Sequence, residues 1–136
     1  MDALTNTLIG LVDFALYFGL SLIALLLFKL LYTLFTPYDE WKLVKERNGA
    51  AACALTGAII GFSIALASAA SNSISLLDFA VWAVVALIAQ ILAYLIVRLF
   101  MPKISQRIEG DEWPAGVVLG GVSIAIGLLN AASMTY

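Results

Sequence analysis

The stretch from residue 49 to 72, GAAACALTGAIIGFSIALASAASN, constrains this chain most, because it carries no charge and consists largely of Ala, Gly and Ser. Its run of about 21 apolar residues measures roughly 31 Å at 1.5 Å per residue, close to the ~30 Å hydrocarbon core of a bilayer. At about 100° per residue, Ala50, Ala54, Gly57, Gly61, Ala65, Ser68 and Asn72 share an arc of roughly 80°. A stripe of small side chains lets another backbone come close, so this span reads as a membrane helix built to pack on protein.

The rest of the chain agrees. Hydrophobic residues make up 63% of it and charged residues 12%, and a soluble domain of this size would have to expose large apolar patches. An all-α membrane protein follows, a single domain over residues 1–136 with four transmembrane helices. The seven basic residues (Lys29, Lys42, Lys45, Arg47, Arg98, Lys103 and Arg107) lie in or beside two segments, 36–49 and 101–113, whereas Asp2, Asp13 and Asp78 lie toward the other ends of the spans. The positive-inside rule puts both segments in the cytoplasm and both termini in the periplasm. The N-terminus lacks the basic region and cleavage site of a secretory signal, and the first span is expected to remain in the mature protein. With no His and a single Cys, neither a disulfide framework nor a His or multi-Cys metal site can form within one chain. Cys53 reads as a small packing residue, and no cofactor or nucleic-acid partner is expected.

The first span, from about Leu8 to Phe35, is bulky over most of its surface. One stripe on it, Gly10, Asp13, Tyr17, Ser21, Ala24 and Phe28, is expected to face protein or an aqueous entrance, because a carboxylate facing lipid is costly. After it, TPYDEWKLVKERNG predicts a short surface helix with Thr36 as N-cap, Pro37 at the first helical position, Asp39 closing a capping box and Gly49 as a left-handed stop. The third span, about Leu76 to Met101, opens on a Ser75/Asp78 capping box and carries Gln90 near its middle, expected to seek an interhelical hydrogen bond. Pro102 ends it. PKISQRIEGDEW then predicts a second short amphipathic helix, with Gly110 as its stop. In the fourth span Gly116, Gly120, Ser123, Gly127, Asn130 and Met134 again fall within about 80° at 100° per residue.

These parallels amount to an internal repeat with halves 1–72 and 73–136. Leu-Phe-x-Pro occurs at 34–37 and 99–102, Gly-x-x-x-Gly at 57–61 and 116–120, Ser-Ile-Ala at 63–65 and 123–125, and Ala-Ala-Ser at 69–71 and 131–133. Each half crosses the membrane twice, so the repeats share one orientation and the second and fourth spans run parallel at the centre.

At TPYDEWKLVKERNGAAACALTGAIIGFSIALASAASNS, RLFMP and NAASMTY, the chain resembles the YjfL-type family of small bacterial inner-membrane proteins, whose function is unknown. The resemblance implies a bacterial inner membrane and an association with envelope-stress systems. It transfers no site residues.

Two functions are open at this point. The first is a non-enzymatic scaffold that forms a homo-oligomer in the lipid bilayer through the seam of Gly57, Gly61, Ala65, Ser68, Gly116, Gly120, Ser123 and Gly127, and offers segments 36–49 and 101–113 to a cytoplasmic partner. The second is a small oligomeric cation channel or transporter using a polar cluster in the outer half of the membrane: Asp13, Asn72, Gln90 and Asn130, with Ser68, Ser71 and Ser133. No enzyme is expected, since without His a Ser or Cys nucleophile lacks its usual base.

Overall fold

The computed structural model describes residues 2–134; Met1, Thr135 and Tyr136 lie outside the described residues, including the Tyr136 end of the family-like NAASMTY block. The described chain is helical: α1 (Ala3–Phe35), α2 (Glu40–Lys45), α3 (Gly49–Asn72), α4 (Leu76–Phe100), α5 (Ile104–Glu109) and α6 (Trp113–Ser133). Four of these, α1, α3, α4 and α6, are long and apolar enough to cross a membrane, while α2 and α5 are short caps on one end of the bundle. All seven basic residues belong to that end, in α2, α5, the adjoining loops, the next-to-last turn of α1 and the last turn of α4.

The core sits between α3 and α6. A Cβ added at Gly57 would collide with the Gly120 backbone, one at Gly61 or Gly127 would collide with the backbone of Ser123 or of Gly61, and one at Gly116 would collide with Ala50. The partners ascend together along both helices, which therefore run parallel, backbone against backbone, as glycine at these positions permits. α4 closes one side, burying Phe79, Ala86, Gln90, Ala93, Tyr94 and Val97. α1 lies parallel to α4: Tyr17 stacks on Phe79 with ring centroids 5.5 Å apart, and Tyr32 meets Tyr94 edge-on at 6.4 Å. Phe28 of α1 stacks on Phe62 of α3 at 4.4 Å.

The register of α1 against α4 has a consequence at the other end. Residue 14 lies level with the start of α4, so residues 3–13 extend about 16 Å beyond it at 1.5 Å per residue. Every residue from 2 to 16 is exposed. The stripe expected to face protein does so only in its second half: Tyr17 and Phe28 pack, but Gly10 and Asp13 stand free of the bundle, because α1 is longer than the helices it packs on.

Two expectations at the basic end are corrected. The first short helix begins at Glu40, with Asp39 as N-cap accepting the Lys42 N–H at 3.3 Å. Thr36 instead ends α1, its N–H donating to the Tyr32 carbonyl at 3.1 Å. Neither glycine adopts the left-handed conformation: Arg47 (φ 65°) and Asp111 (φ 60°) do, each two residues before a long helix, and Gly49 is already the first residue of α3. Glycine is needed there for space, since Trp113 packs on Gly49.

Crossed caps lock the two halves of this end together. Asn48 accepts the Ala51 N–H at 2.8 Å and donates to the Ile108 carbonyl at 2.7 Å and the Glu109 carbonyl at 3.2 Å. It thus serves the first turn of α3 and the last turn of α5 together. Asp111, expected to complement the start of α6, accepts the Ala50 N–H of α3 at 3.0 Å.

Candidate functional site

The seam residues Gly57, Gly61, Gly116, Gly120, Ser123 and Gly127 meet one another within the chain, with Ala65 buried alongside. Ser68 joins the same contact farther along, donating to the Ala131 carbonyl at 3.1 Å. Both small-residue faces are thereby consumed inside one molecule.

The four polar residues expected to cluster do not. Asp13 lies on the free part of α1. Asn72 is exposed and donates to the Ser68 carbonyl of its own helix at 2.8 Å, while the buried Nδ2 of Asn130 has no partner among the described residues. Gln90 sits in mid-bundle, fully buried, and donates to the Ser123 carbonyl at 3.0 Å across the α4–α6 contact. Gln90 lies in mid-bundle and Asp13 and Asn72 are exposed at the other end from the basic residues, so no common pocket brings the four together.

The densest polar chemistry lies at the basic end and was missed in the sequence. Glu40 is 1% exposed. Thr36 Oγ1 lies 2.9 Å from its Oε1, and Thr33 Oγ1 lies 3.4 Å from its Oε2. Burial pushes the carboxyl above its ordinary value of 4.5; its own backbone N–H and the two threonine hydroxyls pull the other way, and Asp39 adds a further push upward. Burial also raises the Tyr38 phenol, reinforced by Tyr32, Glu40, Tyr94 and Glu109. Nearby, Tyr94 Oη and Ser105 Oγ share a hydrogen bond of 2.7 Å. The buried hydroxyls of Tyr32, Tyr38 and Ser123 and the Gln90 Oε1 have no hydrogen-bond partner among the described residues; Tyr32 Oη faces Ser123 without meeting hydrogen-bond geometry. Each such group costs about 1–3 kcal/mol when left unpaired.

An apolar cavity of about 220 Å³ lies between α1 and α4, lined by Leu20, Ala24, Leu27, Phe28, Phe62 and Leu87 among others. Its lining offers room for an apolar chain and no reactive group. Among the described residues no group of three His, Cys, Asp or Glu side chains could hold a metal, and Cys53 is a half-buried free thiol.

Comparison with known proteins covers nearly the whole chain. The family described as Domain of Unknown Function (DUF350) matches residues 5–134. The UPF0719 inner membrane protein YjfL of Escherichia coli (strain K12) is 38% identical over 127 residues, 93% of this chain and 96% of that protein. The UPF0719 transmembrane protein YshE of Bacillus subtilis (strain 168) is 29% identical over 126 residues, 91% of this chain and 94% of that protein. No solved structure matches.

Proposed function

The chain belongs to the DUF350 family, and from that premise we propose that it is a non-enzymatic, multi-pass inner-membrane protein that works by assembling with copies of itself. The observation that carries this reading is the free part of α1. A helix of 33 residues measures about 50 Å at 1.5 Å per residue, against a hydrocarbon core of ~30 Å. Lipid tails that cover the bundle therefore leave the end of α1 uncovered. That end carries Leu4, Leu8, Leu11 and Val12, all more than half exposed, and a second copy of the same segment offers the matching apolar surface. The α3–α6 seam acts within each chain and holds the protomer rigid while α1 associates.

The protomer is read as two same-orientation repeats, 1–72 and 73–136. Supporting this are the parallel run of α1 and α4, the equal lengths of α2 and α5, and the left-handed residues Arg47 and Asp111 at equivalent places. The basic end, with segments 36–49 and 101–113, faces the cytoplasm and both termini face the periplasm. Following the family resemblance, the assembly serves as a scaffold or accessory component of an envelope-stress system, with a cytoplasmic protein partner at the α2/α5 end. The outer polar groups are dispersed within the protomer, which favours scaffolding over a cation channel.

Disulfide trapping tests the assembly: with Cys53 replaced by Ala, Leu11→Cys should cross-link between copies in native membranes, and the protein should run as an oligomer in lipid nanodiscs. A monomer in nanodiscs without cross-links would sink the reading. Impermeant labelling of Ser75→Cys but not Lys103→Cys in intact cells checks the orientation.

A further inference from the structure

We propose that Glu40 is a proton-binding site, occupied as a neutral carboxylic acid and loaded from the polar groove at the α2/α5 end through the Ser105–Tyr94 hydroxyl pair. Besides its own backbone N–H, only two hydroxyls among the described residues reach this carboxyl. Thr33 has one, and it lies 2.9 Å from the Lys29 carbonyl but 3.4 Å from Glu40, so its hydrogen belongs to the carbonyl. Thr36 also has one, yet its Oγ1 lies within reach of Glu40 Oε1 at 2.9 Å, the Tyr32 and Tyr38 carbonyls at 3.2 Å each, and the Thr33 carbonyl at 3.5 Å. A protonated Glu40 resolves the surplus of acceptors. The acid donates to Thr36 Oγ1, and Thr36 donates onward to a carbonyl. An ionised Glu40 would take the Thr36 hydrogen and place a buried negative charge beside the carbonyl end of α1, where the helix dipole is itself negative.

The surroundings supply no countercharge among the described residues. α1 carries Lys29 at this end and α2 carries Lys42 and Lys45; the Lys29 and Lys45 ammonium groups lie over the Trp41 ring, at 5.8 and 5.6 Å from its centroid, and none of the three lysines acts on the Glu40 carboxyl. The remaining titratable groups that face Glu40 and its phenolic neighbours are Asp39 at the start of α2, Tyr38 in the link, Tyr32 on α1, Tyr94 on α4 and Glu109 on α5. None of these carries a positive charge. The first turn of α2 favours an anion, and burial outweighs it.

A polar groove that can supply the proton lies on the same side. The groove, of about 370 Å³, is lined by Pro37, Arg98, Ser105 and Glu109 among others. Ser105 Oγ, on the groove, is hydrogen-bonded to Tyr94 Oη, and the Tyr94 ring meets Tyr32 edge-on at 6.4 Å; no hydrogen bond joins Tyr94 to Glu40 among the described residues, so the last transfer needs side-chain motion or a bridging water. Loading forms one O–H bond on Glu40 at the expense of a hydronium in the groove; unloading reverses it, and nothing is oxidised or reduced. The proton site does not depend on the oligomer reading.

Infrared difference spectroscopy of the full chain in lipid vesicles tests it. Of the four glutamates, Glu46, Glu109 and Glu112 are exposed and Glu40 alone is buried. The protonated-carboxyl carbonyl band should therefore persist at pH values where exposed glutamates are ionised, shift with carbon-13 labelling of glutamate, and vanish in Glu40→Gln. The label assigns the band in the unaltered protein, so the test stands whether or not that variant folds. Exchange into deuterated buffer should shift the band, and Ser105→Ala should slow that shift several-fold. Loss of all glutamate acid signal together with the exposed carboxyls would overturn the proton site. An unchanged exchange rate in Ser105→Ala would overturn the route.

Discussion

α3 and α1 are both long apolar helices, yet 56% of α3's most apolar stretch is buried against only 6% of α1's. α3 gains its place through what its side chains lack: at Gly57 and Gly61 its backbone meets the backbone of α6, so dispersion contacts accumulate along the whole length. α1 gains its place through a few large rings, Tyr17, Phe28 and Tyr32, all from residue 17 onward. In lipid there is no hydrophobic drive to bring helices together. Close approach decides which helix belongs to the core, and hydropathy does not.

The contrast is most easily broken at the seam. Gly57→Leu and Gly120→Leu each set a side chain into opposing backbone that cannot rotate away. Each should destabilise the protomer at or beyond the top of the ~1–3 kcal/mol range of overpacking, measured as unfolding in mixed micelles. Ordinary stability in both variants would show that α3 and α6 are not held by their backbones.

Next in size is the clasp at the basic end. Asn48→Ala removes the α3 cap and leaves the Ile108 and Glu109 carbonyls short of a donor, at a cost of about 2 kcal/mol. Asp111→Ala removes the bond to Ala50 and puts Ala at a left-handed φ of 60° that Asp tolerates better, and should cost about 1 kcal/mol. Equal costs for the two would mean that Asn48 acts only as a local cap.

The seam was legible because glycine spacing and helical period are local properties: Gly57, Gly61, Gly116 and Gly120 announce a face before any partner is known. Gln90 was legible for a similar reason, as a polar group that cannot face lipid. The basic end was not. Thr36-Pro37 satisfies the local rule for a helix start, but Thr36 is drawn into the end of α1 and the start passes to Asp39. Asp111 satisfies the rule for the start of α6 yet serves α3, a choice made by tertiary packing alone. Glu40 is buried by the same packing, and the separation of Asp13 from Asn130 depends on helix register, which periodicity does not encode.

The Glu40 environment gives a pH dependence with a definite sign. A carboxyl whose folded pKa is raised contributes stability that is whole below its ordinary value of 4.5 and is lost as pH rises through the raised value, at about 1.4 kcal/mol for each pH unit between the two. Docking of α2 should therefore weaken on the alkaline side of the ordinary carboxylate range. Glu40→Gln should remove that slope, which amide exchange in α2 across a pH series can follow. A slope of the opposite sign, or the same slope in Glu40→Gln, would count against the buried acid.

The smallest effects separate the two parts of α1. Leu26 is 67% exposed and Leu11 57%, so neither side chain holds the protomer together, and Leu26→Ala or Leu11→Ala should each change its stability by no more than about 0.5 kcal/mol. Their surroundings differ, however. Leu26 lies level with the other membrane helices, where lipid tails take the place of any lost contact. Leu11 lies beyond the start of α4, on the part of α1 that the proposed assembly covers with a second copy. Leu11→Ala should therefore shift the oligomer toward monomer in nanodiscs while Leu26→Ala leaves it unchanged. If both variants assemble alike, the free end of α1 is covered by something other than a second copy, and the difference between α1 and α3 is one of burial alone.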